Sequence, residues 1–144
     1  MRYKLPVLLL LGLLMLVACN KSGDGPKIVG KWHLAGVQGV AYEFKPDGTF
    51  TADIKLGVLK NVISGKYSST EKDLTMTATD INMTSTDPDT QAKIDAGKQL
   101  IASQLNKPIT VALAWKSDDE FTMSNTSGWL SMGAGPVPFR RAKG

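Results

Sequence analysis

From Ile28 onward, apolar and polar residues alternate with a period of two, the mark of antiparallel strands with one dry face and one wet face. Ile28, Gly30, Trp32 and Leu34 share one face, with Val29, Lys31 and His33 on the other. After a glycine-containing turn, Val40, Tyr42 and Phe44 point inward. Pro46, Asp47 and Gly48 then supply turn chemistry before Phe50, Ala52, Ile54 and Leu56 resume the pattern. Gly57 and Asn61 bracket a loop or bulge, and Ile63, Gly65 and Tyr67 follow on one face. Leu74, Met76 and Ala78 continue inward, but Ile81 and Met83 carry the opposite parity. A bulge near Thr79–Asp80 would return them to the inner face.

The period then changes. Asp87 reads as a helix N-cap with Pro88 at the first helical position, and Asp89 places negative charge in the first turn. Ile94, Ile101 and Leu105 fall at helical spacing, with Gly97 and Leu100 beside them, and Pro108 ends the segment. One helix near residues 88–106 is expected, lying against the strands or across one end. Strands resume with Ile109, Val111, Leu113 and Trp115 on one face, then Phe121 and Met123. Trp129 to Met132 reads as a short strand between glycine-rich turns, and Val137, Phe139 and Arg141 share the face of the final strand. Pro138 then points outward, a position tolerated at an edge or bulge. The pattern amounts to about eight strands and one inserted helix.

The chain opens on an address rather than on fold. Arg2 and Lys4 precede an apolar run from Leu5 to Val17, too short for a membrane helix, which needs ~20 residues. Leu16-Val17-Ala18-Cys19 resembles a bacterial lipobox. That resemblance implies a signal peptide over residues 1–18, cleavage before Cys19, and a lipid on its sulfur that anchors the chain to a membrane. An uncleaved anchor or a soluble secreted product is the plainer alternative. Asn20 to Lys27 reads as a polar tether and residues 28–144 as one domain. Asn20 after the cysteine leans towards the outer membrane of a bacterial cell envelope under the enteric sorting rule.

Removing the leader leaves fifteen basic and thirteen acidic residues, a net charge of +2 with no basic block, so nucleic acid is not an expected partner. Cys19 is the sole cysteine, so no disulfide can staple the domain. One histidine, His33, sits on the outward parity. With no free thiol beside it, the common zinc sets and the Ser-His and Cys-His nucleophile systems are excluded in their ordinary forms. Asp118, Asp119 and Glu120 read as a solvated turn. No catalytic residue, metal or cofactor is expected, and the chain reads as a non-enzymatic protein.

Gly30-Lys31-Trp32, the hairpin "YEFKPDGTF", the stretch "GKYSSTEKDLTMT" and the terminal "PFRR" together resemble bacterial lipocalin-like lipoprotein domains. The resemblance implies a mainly β, antiparallel up-and-down barrel. It further implies that Trp32 closes one end and that Arg141 packs over its ring. Departures from the family are the helix that interrupts the strands and the lack of other family motifs in the second half. The inward residues Tyr42, Phe44, Phe50, Tyr67, Met76, Val111, Leu113, Trp115 and Met123 line a candidate cavity for a small apolar ligand. The plainer reading is that the same residues fill a core at ordinary packing density. In that case the domain is a protein-interaction or protease-inhibitor module with a filled barrel. The segment "SGWLSMGAGPVP" reads as a ligand portal, a partner contact, or a loop folded onto the barrel end.

Overall fold

The structure, a computed structural model, describes residues 26–144; Cys19 and the leader lie outside the described residues. Eight strands form a closed antiparallel barrel in chain order: β1 (Gly30–Leu34), β2 (Val40–Phe44), β3 (Thr49–Leu56), β4 (Leu59–Ser69), β5 (Asp73–Ser85), β6 (Pro108–Ser117), β7 (Glu120–Ser124) and β8 (Val137–Arg141). β8 closes on β1 through the pairs Trp32–Arg141, His33–Arg140 and Leu34–Phe139. Closure removes most of the free edge that an open sheet would present. Pro138 lies just past this ladder, so its missing N–H costs no β1–β8 pair.

Alternation becomes burial with few exceptions. Trp32, Tyr42, Phe44, Phe50, Leu74, Met76, Val111, Phe121, Met123 and Phe139 are all sealed inside, and no polar or charged residue among those described is fully buried. Eight strands enclose an interior that side chains alone can fill. Here aromatic rings fill much of it. Phe121 meets Trp32 edge-on at 4.6 Å and stacks on Phe139 at 5.3 Å, while Tyr42 meets Phe139 edge-on at 5.4 Å. Burial raises the Tyr42 phenol above the ordinary tyrosine range, because the ionised form would be stripped of water.

The bulge falls at the expected place. Ser64 pairs with Asp80 and Gly65 with Ala78, leaving Thr79 unpaired and returning Ile81 and Met83 to the inner face. Gly65 is required there. A Cβ on it would lie 2.0 Å from the Thr77 carbonyl oxygen and 2.9 Å from Ala78 Cα, both backbone atoms that cannot swing away. Gly65→Ala is therefore expected to cost ~1–3 kcal/mol through overpacking. Urea titration checks this, and an unchanged midpoint would contradict the close approach.

Three local expectations change. The single helix over 88–106 is two short ones, α1 (Pro88–Ala96) and α2 (Lys98–Ala102). Gly97, a weak helix former, leaves helical geometry at φ −88° and ψ 2°, and its N–H closes α1 against Lys93 and Ile94 carbonyls. Asp87 caps α1, accepting hydrogen bonds from the Thr90 N–H (2.8 Å) and hydroxyl (2.6 Å), which hold its carboxyl below the usual aspartate range. The loop expected over Gly57–Asn61 shrinks to the turn at Gly57–Val58, with Gly57 in left-handed geometry at φ 58° and β4 starting at Leu59. The strand expected at Trp129–Met132 is instead a single 3-10 turn, Gly128–Leu130, entered through Gly128 at φ 56°.

Candidate functional site

The up-and-down order gives the barrel two unlike ends. One end collects the start of β1, the β2–β3, β4–β5 and β6–β7 turns and the end of β8. At this end Trp32 is fully buried and donates its indole N–H to the Ile28 carbonyl at 2.7 Å. The Arg141 guanidinium carbon sits 4.2 Å from the Trp32 ring centroid, a cation–π contact. Its nitrogens donate to the carbonyls of Val29 (2.8 Å), Lys27 (3.1 Å) and Asp118 (2.9 and 3.2 Å), and to the Asp119 carboxylate at 3.1 Å. Gly30 belongs to the same device. It adopts φ 134°, and a Cβ there would come within 2.6 Å of Arg141 Nη1. The Asp118–Asp119 turn is solvated, as expected, and also fastens the arginine that covers the tryptophan.

The nine residues considered for a cavity are brought together, but mainly against one another. Tyr42, Phe44, Phe50, Met76, Val111, Leu113 and Met123 belong to one continuous buried cluster, with Tyr67 and Trp115 packed on its margin. Tyr67 donates its hydroxyl to the Lys45 carbonyl at 2.7 Å and meets Phe44 edge-on at 5.0 Å. Trp115 lies 5.7 Å from Trp32 and 4.9 Å from Phe121, below a cation–π contact from Lys27. Parity fixes which side chains point inward. It does not fix whether space is left between them.

Space appears at the other end. β5 pairs with β6 only over Asp73–Thr77, so its upper half, paired with β4 alone, overruns the barrel. The inner face of that overrun has no β6 neighbour, and the chain returns across it. α2 and the turn after it bring Leu100, Ile101 and Gln104, and the 3-10 turn brings Gly128 and Trp129. With Asn61 and Ile63 of β4 and Ile81 and Met83 of β5, these line an open pocket of about 310 Å³. That volume lies at the small end of the ~300–1,000 Å³ typical of ligand pockets. Its lining is apolar except for Asn61, Gln104 and the Trp129 indole N–H, and no charged side chain contributes to it.

Trp129 forms the boundary between core and pocket. Its ring stacks on Phe50 at 5.8 Å and 8°, so the fully buried Phe50 is the platform from which the pocket wall rises. Gly128 allows the approach, since a Cβ there would press on Ile109 Cδ1 at 3.2 Å and Gln104 Oε1 at 3.3 Å. Leu56, Val58 and Leu59 at the β3–β4 turn are exposed at the same end, as is Leu100, which is 71% exposed. None of the nine cavity candidates lines this pocket. The glycine-rich segment considered as a portal does reach it, through Trp129.

His33 is exposed on the outer face, and among the described residues no group of three His, Cys, Asp or Glu side chains converges as a metal site. No helix among the described residues is long and apolar enough to cross a membrane.

No protein-family model matches the chain, and no curated protein matches it. Among solved structures, it is similar to an uncharacterized protein from Bacteroides eggerthii DSM 20697, with a TM-score of 0.47 and 16% sequence identity over 79% of this chain and 98% of that one.

Proposed function

We propose that this chain is a non-enzymatic, membrane-anchored lipoprotein whose lipocalin-like barrel carries a small hydrophobic ligand at its mouth rather than in its interior. The observation that carries this reading is the uncharged pocket of about 310 Å³ beside the Trp129 wall. An apolar concave site with a few convergent polar groups is the usual form of a small-molecule site. The leader and Leu16-Val17-Ala18-Cys19 support anchorage through Cys19. The sole histidine, solvated on the outer face, supports the non-enzymatic assignment.

N-phenyl-1-naphthylamine, a neutral apolar fluorophore, tests the pocket directly. Saturable one-to-one binding is expected, and Ile101→Trp, which fills the pocket from α2, should abolish it while leaving the thermal transition within a few degrees of the parent. Absence of saturable binding to the parent protein would reject the reading. The filled aromatic interior also favours the second reading, a protein-interaction or inhibitor module. A stoichiometric protein partner recovered from solubilised envelope, together with no probe binding, would establish that one instead.

A further inference from the structure

Two residues of the pocket lining each hold a polar atom that the fold leaves without a partner. Asn61 Oδ1, an acceptor, and Trp129 Nε1, a donor, are both shielded from solvent, and neither makes a hydrogen bond among the described residues. Both residues line the same pocket. Buried polar groups are paired in the great majority of cases, and an unpaired one is costly, so two of opposite sense at one pocket call for an explanation. The same pocket holds no Lys, Arg, Asp or Glu side chain. A charged head group seated there would lose its water without gaining a counter-ion.

Taking the pocket as a ligand site, as above, we infer that it selects an uncharged amphiphile whose single polar head both donates and accepts, a hydroxyl above all, on an aliphatic body. The hydroxyl hydrogen goes to Asn61 Oδ1 and the hydroxyl oxygen accepts from the Trp129 N–H, while Ile63, Ile81, Met83 and Ile101 hold the chain. A carboxylate can only accept and an ammonium can only donate, so each leaves one of the two atoms unpaired as well as burying a charge. Both protein atoms are covered as the side chains stand, so entry must shift the indole edge. The wall residue stands on a single 3-10 turn that begins at Gly128, with Gly133 and Gly135 after it, all three at positive φ.

The test is displacement of N-phenyl-1-naphthylamine from the full-length protein by three ten-carbon competitors at about pH 8, where a carboxyl group is ionised. 1-Decanol should displace the probe at roughly ten-fold lower concentration than its isomer 1-methoxynonane, which accepts but cannot donate, and lower still than decanoate. Asn61→Leu should retain probe binding and bring the alcohol and the ether to equal potency. Trp129 emission should change on binding of decanol in a Trp32→Phe/Trp115→Phe background. Equal potency of alcohol and ether in the parent, or decanoate as the strongest competitor, overturns the inference and leaves the pocket reading standing. Failure of the probe to bind the parent protein overturns both.

Discussion

Replacing Trp32 with alanine is expected to destabilise the barrel by ~3–5 kcal/mol, the range found when a buried large aromatic is truncated. Three losses coincide at that position. The fully buried indole leaves a cavity beside Phe121 and Trp115, whose rings lie 4.6 and 5.7 Å away. The Ile28 carbonyl loses its donor at 2.7 Å, and the Arg141 guanidinium loses the ring beneath it. A domain of this size holds only ~5–15 kcal/mol in all, so the melting temperature should drop by on the order of 10–20 °C. Trp32→Phe keeps a ring in place and should cost less than half as much. Arg141→Lys keeps the charge but loses the planar fork that reaches the Val29, Lys27 and Asp118 carbonyls together, and should cost about 1–2 kcal/mol. Urea denaturation of the three variants checks the order. A Trp32→Ala loss below about 1 kcal/mol would mean that Trp32 is peripheral to the fold.

The closed end was legible because strict alternation runs through it. Trp32, Phe139 and Arg141 fall on inward parity, and one pairing register then sets Trp32 opposite Arg141. What parity could not supply was the role of the Asp118–Asp119 turn. Its contribution to Arg141 comes mostly through backbone carbonyls, which any residues in that turn would present. The mouth pocket was not legible for a related reason, since it is assembled from the places where the pattern breaks. Ile81 and Met83 reach it only after the bulge at Thr79, Ile101 sits on a helix with a weak apolar stripe, and Trp129 stands among glycines whose local pattern suited a strand. Inward aromatic positions were the more conspicuous signal for a cavity. Yet large rings at adjacent inward positions consume the volume they surround, so the same signal that marked a cavity marks a filled core. The better clue to open space was β5 outrunning its β6 partner, a mismatch of strand lengths visible only once the register is known.

Phe50 connects core to mouth, and Phe50→Ala is the second large effect. Truncation of a fully buried phenylalanine costs ~3–5 kcal/mol, here through loss of contact with Phe44 at 6.2 Å and with Trp129 at 5.8 Å. Stability and binding should fall together, because Trp129 has few other restraints. Its 3-10 turn is held by Leu130 N–H to Ser127 O (3.0 Å), Ser131 N–H to Gly128 O (3.2 Å) and Met132 N–H to Thr126 Oγ1 (3.3 Å). Without the ring beneath it the indole can settle into the vacated space and carry the pocket wall with it. Trp129→Ala alone removes a half-buried wall residue outside the barrel lumen and should cost less stability than Phe50→Ala. In a double-mutant cycle the two should be coupled by about 0.5–1.5 kcal/mol, the range for aromatic pairs, measured by urea denaturation. Additive losses would mean that the stacked pair is a juxtaposition without energetic content, and that core packing does not shape the mouth. A coupled loss, with N-phenyl-1-naphthylamine binding weakened in Phe50→Ala at temperatures where the variant remains folded, would place the filled interior in a definite role. It is the support on which the ligand wall stands.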